Sequence, residues 1–293
     1  MIAYVNGSYL ETSEAKISIF DGGFLFGDGL FEIMRLYGGR PFDLAGHLAR
    51  LNRELDLLGF AWRADTGMVR DIARELVDRN GMADQDARMR LIVSRGNLTH
   101  ERLTLQNLHE IEPTVVVTLD TLPEEWIAWH RDGIHAAVMK PAFARGNFPQ
   151  LKTLNYLPSL MALRFAAACD CQEAILVDRQ GMLLEGATSN IFLVTGGRVL
   201  TPPVRLGILA GRTRSRVISA AHDLGYACEE AACNRRDLAT AEEVFLTGTV
   251  REVIPVVKIG HATVGDGRPG PITRAIQEKY HQAVDAALAE EIV

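Results

Sequence analysis

Lysine is scarce in this 293-residue chain. Lys16, Lys140, Lys152, Lys258 and Lys279 are all there are, against a Lys+Arg total of 31. Charged residues make up 23% and the net charge is −6, so no concentrated basic face for a nucleic acid is expected. No run of about 18 apolar residues occurs, which excludes a membrane-spanning helix of ordinary length. The opening MIAYVNGSYLETSEAK lacks a charged stretch followed by an apolar one, so it does not read as a secretory signal. The four cysteines are Cys169, Cys171, Cys228 and Cys233. Cys169 and Cys171 sit two apart, a spacing that suits neither a zinc knuckle nor a structural disulfide, and no histidine cluster stands near them. Reduced thiols, no metal and a cytoplasmic location are the expectation. Neither a fixed-period repeat nor a low-complexity tract is present.

What is present alternates between strand and helix patterns. IAYVNGSYL reads as a hairpin around Asn6-Gly7, AKISIF as a further strand, and LFEIMRLY as another after the glycine-rich DGGFLFGDG. Leu44, Leu48, Leu51, Leu55 and Leu58 recur at helical spacing up to Gly59, and a second helix covers roughly 67 to 79. RMRLIVS and TVVVTL are strands, 123 to 133 a helix, and IHAAVMK a strand. PAFARGNFPQ has the Pro, Gly and Asn content of a linker. Beyond it come a helix at about 155 to 168, the strands EAILVD, MLLEG and SNIFLVT, and a helix near 211. EVFLTG, VIPVVKIG and a C-terminal helix complete the chain. This predicts an α+β, mixed α/β protein of two domains, 1–139 and 151–293, joined by 140–150.

One lysine keeps unusual company. Lys152 lies in QLKTLNYLPSLMAL among Leu151, Leu154, Leu157, Leu160 and Leu163. An ammonium in apolar surroundings loses solvation, which lowers its pKa and favours imine formation with an aldehyde. The alternative is a lysine snorkelling at a helix edge. Gly211 precedes a helix whose first-turn amides could hold an anion. Gly248 and Thr249 offer a second tight turn with a hydroxyl donor. Arg50 could clamp a phosphate, or pair with Glu54 one turn on. Glu185 falls between apolar strands, where a carboxylate requires a cationic partner.

These segments resemble the fold-type IV, or class IV, pyridoxal-phosphate aminotransferases, a group that includes branched-chain and D-amino-acid aminotransferases and aminodeoxychorismate lyase. The resemblance runs in order through FGDGLFEIMRLY, HLARL, LIVSRG, LKTLNYL, EGATSNIFLV, GILAGRTR, TGTVREVIPV and GDGRPGPIT. It implies a small α/β N-terminal domain, a larger C-terminal domain with a mixed-strand pseudo-barrel, and a homodimer. It implies pyridoxal 5′-phosphate held as an imine by Lys152. Tyr156 then bonds the cofactor's phenolic oxygen and Glu185 its pyridine nitrogen. Arg50, Gly211, Arg212, Thr213, Gly248 and Thr249 surround its phosphate.

Specificity is less sharply written. Phe26, Phe31, Ile33 and Arg35 are candidates for the substrate pocket, with Val250 beside the phosphate turn. Branched-chain members usually carry tyrosine where this chain has Arg88, and an arginine there could bind a carboxylate. His100-Glu101-Arg102 resembles, in reversed order, the Arg-x-His pair with which D-amino-acid members hold a carboxylate. The resemblance therefore implies transfer between a branched-chain type amino acid and 2-oxoglutarate by a ping-pong route. A D-amino-acid aminotransferase, an aminodeoxychorismate lyase and a non-catalytic phosphate-binding module are the alternatives.

Overall fold

A computed structural model describes residues 1–98, 105–139 and 151–290. They form two compact units, the first of 1–98, 105–122 and 151–155 and the second of 123–139 and 156–290. The first begins with the expected hairpin, β1 (Ile2–Val5) and β2 (Ser8–Glu11), turning at Asn6 and Gly7, both at positive φ. A short helix, α1 (Gly22–Phe26), precedes β3 (Gly29–Tyr37) and β4 (Arg40–Pro41). Asp21 caps α1 by accepting from the Gly23 amide at 2.8 Å, and its other oxygen accepts from the Ser94 and Thr114 hydroxyls. Gly27 ends the helix at φ 68, where an added Cβ would collide with Asn155.

The helices α2 (Leu44–Leu57) and α3 (Thr66–Asn80) follow, and α3 stops at Gly81 in the left-handed region. The strands β5 (Ala87–Ser94) and β6 (Thr114–Thr121) complete an antiparallel sheet of order β2-β1-β6-β5-β3-β4. Period-2 alternation sorts its faces. Leu30, Met34, Met89, Leu91, Val117 and Leu119 share a core with the leucines of α2. The opposite face is only partly covered.

The second unit contains α4 (Glu125–Asp132), β7 (Ile134–Met139), α5 (Leu157–Ala168), β8 (Glu173–Val177), β9 (Leu183–Gly186), β10 (Asn190–Thr195) and β11 (Arg198–Thr201). It continues through α6 (Arg212–Asp223), β12 (Cys228–Glu230), α7 (Arg235–Thr240), β13 (Glu243–Gly248), β14 (Glu252–Ile259), β15 (Ala262–Thr263) and α8 (Pro271–Glu290). The sheet order is β12-β11-β10-β13-β14-β7-β8-β9, with β15 on β14. The pairs β11–β12, β14–β7 and β7–β8 are parallel and the rest antiparallel, so the sheet is mixed.

Its shape follows from one connection. β9 and β10 lie five places apart in this order, yet only residues 187–189 join them. Laid flat, the gap would be roughly 24 Å, more than such a link spans. The sheet must curl into an incomplete barrel, which is the pseudo-barrel the resemblance implies.

Three expectations change. Residues 15–20 alternate like a strand but form none; Phe20 accepts one backbone bond, from Leu98, and Ile17, Ile19 and Phe20 are exposed. α4 and β7 group with the second unit, because β7 pairs with β8 and β14, strands far along the chain. Residues 151–155 group with the first unit, because 152–154 pair with the start of β3. The expected linker at 140–150 lies outside the described residues. All four cysteines are free, and burial pushes the Cys228 and Cys233 thiols up to about 11.

The core face of β3 also carries a charge. Glu32 is 1% exposed, and its carboxylate accepts from Arg50 Nε and Nη2, both at 2.7 Å, and meets His47 Nδ1 at 2.8 Å. Burial alone would raise this carboxyl; Arg50 and His47 instead draw it from 4.5 down to about 2. A folded value below the unfolded one adds stability that is complete above about pH 4.5 and lost as pH falls toward 2. Denaturant unfolding of the wild type and Glu32→Gln should therefore show the widest stability gap near neutral pH. The gap should narrow by on the order of 3 kcal/mol across that window.

Candidate active site

Lys152 is held by its main chain on both sides. Its amide donates to Glu54 Oε2 at 2.8 Å, and its carbonyl accepts from the Phe31 amide at 3.0 Å. Leu30 and Thr153 form an antiparallel bridge, and the Leu154 amide donates to the Gly29 carbonyl at 3.0 Å. Residues 152–154 thus extend the sheet along the edge of β3 that β4 leaves open. The Lys152 amine lies 4.5 Å from the centre of the Phe31 ring. That is a cation–π approach on the half-covered face of the sheet, not the free solvent of a snorkelling chain.

Arg50 does not pair with Glu54. It is locked in a bidentate bond to Glu32, which uses two of the five guanidinium donors. Glu54, one turn further along α2 and 5% exposed, turns to the Lys152 amide instead. Burial raises its carboxyl above the ordinary value, while the Lys152 amide and Arg50 pull the other way.

The register of β3, β5 and β6 brings Phe31, Ile92 and Val116 into one row and Ile33, Arg90 and Thr118 into the next. Arg35 and Arg88 form the following row, but both are engaged. Arg35 donates to Asp86 at 2.8 Å and lies over the Tyr37 ring; Arg88 donates to Asp120 at 2.9 Å. Arg90, half-buried between Ile33 and Thr118, makes no ion pair among the described residues, and its Nε lacks a hydrogen-bond partner. Phe26 sits exposed at the end of α1. His100 and Arg102 lie outside the described residues.

In the second unit, Glu185 on β9 is 4% exposed. Its Oε2 accepts from the Leu209 amide at 3.1 Å and from Asn190 Nδ2 at 3.4 Å. Asn190 Nδ2 also donates to the Leu209 carbonyl at 2.9 Å, which ties the carboxylate to the segment leading into α6. Gly211 is the N-cap of α6, with no side-chain cap, and an added Cβ there would run into Asn190 Oδ1. Arg212 and the buried Thr213 open the helix, whose first-turn amides and dipole favour an anion. Thr247 pairs with Asn190 across β13 and β10; it is 1% exposed and its hydroxyl has no hydrogen-bond partner among the described residues. Gly248, Thr249 and the buried Val250 form the turn after it. Tyr156 is the N-cap residue of α5.

A second buried carboxylate braces this turn. Glu173, fully buried, accepts from the Ala174 and Ala187 amides, the Thr188 and Ser189 hydroxyls, and Arg251 Nη2 at 2.5 Å. Asn190, Glu32, Arg90 and Glu173 are the residues that sequence reasoning passed over, and Glu54 entered it only as a partner for Arg50. Each gains meaning only from a partner on another strand or helix.

An amine, a buried carboxylate and an amide-lined helix start suit an aldehyde, a pyridine nitrogen and a phosphate respectively. The Thr247 hydroxyl, unpartnered among the described residues, fits a ligand drawn close to backbone. The described residues hold no cluster of metal-binding side chains and no helix long and apolar enough to cross a membrane.

The chain is similar to several known proteins. The description "Amino-transferase class IV" matches residues 29–259. A Methanocaldococcus jannaschii protein named for branched-chain-amino-acid aminotransferase activity is 34% identical over 96% of this chain and 95% of its own. Aminodeoxychorismate lyase of Bacillus subtilis and D-alanine aminotransferase of Bacillus licheniformis are each 32% identical, over 98% of this chain and 96% and 98% of theirs. The branched-chain amino acid aminotransferase of Escherichia coli superposes with a TM-score of 0.86 at 27% identity, over 97% of this chain and 94% of its own. With the curled mixed sheet and the lysine seated on β3, this establishes that the chain belongs to the class IV aminotransferases, enzymes of pyridoxal 5′-phosphate.

Proposed function

We propose that this enzyme moves the amino group between a branched-chain type amino acid and 2-oxoglutarate, as a cytoplasmic homodimer. The observation that carries this reading is the sheet face beside the Lys152 amine. Phe31, Ile33, Ile92 and Val116 offer apolar contact, and the one guanidinium among them without an ion pair is Arg90. An aliphatic side chain fits the first group, and the distal carboxylate of a dicarboxylic keto acid fits the second. Arg35 and Arg88 are less suited, since each would first have to leave an aspartate.

The bound cofactor supplies an electron sink for the pair released when the substrate's α-proton leaves. Lys152 Nζ would anchor its aldehyde carbon and, once displaced by the substrate amine, would move the proton from the substrate's Cα to the cofactor's C4′ carbon. Glu185 would hold the proton on the pyridine nitrogen, and the Tyr156 hydroxyl would donate to the phenolic oxygen. Arg50, the α6 start at Gly211, Arg212 and Thr213, and the Gly248–Thr249 turn are the groups that would bind the phosphate. Keto acid and amino acid then alternate at one site, in a ping-pong sequence.

Relatives of similar identity act on D-alanine or in aminodeoxychorismate cleavage, so the donor decides between readings. Single-turnover absorbance with L-leucine, L-glutamate, D-alanine and D-glutamate should show L-leucine and L-glutamate bleaching the imine band, and Lys152→Ala should lack that band. Reaction with the D-isomers alone would replace this reading by the D-amino-acid one. Arg90→Met should raise KM for 2-oxoglutarate roughly tenfold or more while sparing L-leucine, as expected for one lost charge-assisted contact. Ile17, Ile19, Phe20, Phe24 and Leu25 form an exposed apolar stretch that a second copy would cover. Sedimentation should find a dimer that Phe24→Glu weakens; a monomeric wild type would sink the homodimer.

A further inference from the structure

We infer that Glu54 is a positioning residue for the catalytic lysine: by accepting the Lys152 amide it fixes that residue's main chain one helical turn from Arg50. The inference rests on Lys152 being the imine-forming residue.

A glutamate is a costly side chain to bury on the core side of a helix. Glu54 is 5% exposed, lies among the leucines of α2, and forms no ion pair among the described residues. Among the described residues its side chain makes one hydrogen bond, to the Lys152 amide at 2.8 Å. A residue that served only packing at this place would be leucine or methionine. A residue that served only to balance charge would meet Arg50, which is taken by Glu32.

The bond has a geometric consequence. The lysine side chain has four rotatable bonds, so where its amine can reach depends on where its Cα is held. At Lys152 the carbonyl is held by β3 through the Phe31 amide and the N–H by α2 through Glu54. Removing Glu54 would leave the N–H side of this residue without its tie. α2 itself is fixed against β3 by the Arg50–Glu32 and His47–Glu32 bonds. One rigid helix therefore carries both the guanidinium proposed for the phosphate and the carboxylate that seats the lysine. The helical rise of about 6 Å over four residues sets the spacing between those two functions. Misplacement by a fraction of that distance is enough to slow an oriented proton transfer.

The test compares holoenzyme variants by single-turnover half-reaction with the fastest amino donor, by the imine absorbance band, and by thermal unfolding. Glu54→Gln keeps an oxygen acceptor and removes the charge; Glu54→Leu removes the acceptor at similar size. Glu54→Leu is expected to melt no lower than wild type and to react roughly ten- to a hundredfold more slowly, with donor affinity little changed. Glu54→Gln is expected to recover most of that rate. A purely structural role would lower the melting temperature without this split. Equal loss in both variants would mean that charge, not the hydrogen bond, matters, and a wild-type rate in Glu54→Leu would likewise overturn the inference. Should Glu54→Leu fail to fold, amide exchange in the wild type decides: a Lys152 amide exchanging as fast as open chain refutes the bond. Lys152→Ala separates the two levels of argument. If it keeps the imine band, the role of Lys152 itself falls; if it loses the band and Glu54→Leu reacts normally, only the role of Glu54 falls.

Discussion

A carboxylate placed beneath a sheet must be met by donors, or the unit that contains it will not close. Glu32 is such a group, and the first unit is arranged to satisfy it. Arg50 and His47, both on α2, reach the same two oxygens, which sets the rotation of the helix about its axis as well as its height along β3. The leucines of α2 would accept a range of rotations against an apolar face; the bidentate guanidinium would not. Once Arg50 is oriented, Glu54 one turn on is aimed at the open edge of β3, where the Lys152 segment pairs. A stabilising ion pair and the placing of Lys152 are thus one structural event.

The second unit applies the same rule twice. Glu185 and Glu173 are both buried on the strands that begin and end the β8–β9 hairpin. Each is answered by donors from the connection after β9 or the approaches to α6 and β14. The curl that the short 187–189 link forces on the sheet brings these partners within reach. A flat sheet of the same strand order would leave β9 and β10 at a distance, and Asn190 could not join Glu185 to the start of α6.

The division of labour between groups follows from their surroundings. Amide-rich, charge-tolerant features, such as the α6 start and the Thr247–Thr249 turn, suit the anionic end of a cofactor. The apolar rows of β3, β5 and β6 suit a hydrocarbon side chain, and Arg90 is the polar exception within them. Among similar proteins the same framework accompanies D-alanine and branched-chain transamination and a lyase. The fold by itself therefore does not fix the substrate.

Much of this was legible in the chain itself. Helical leucine spacing marked α2, Asn6-Gly7 marked the first turn, and ordered motifs marked the family, because these signals are local. Lys152 stood out because lysine is rare here and its neighbours are leucines. Other features had no local trace. β7 reads as the end of the first domain until it pairs with β8 and β14, and the alternating 15–20 segment reads as a strand until no edge accepts it. Arg50 beside Glu54 in sequence suggested an i,i+4 pair, whereas a better-placed carboxylate on β3 took the guanidinium and released Glu54 to Lys152. The sequence determined which elements exist and which residue types could do the chemistry. Tertiary structure alone decided which charges meet, because a buried ion chooses the partner that geometry brings closest, and that distance is set by residues far apart along the chain.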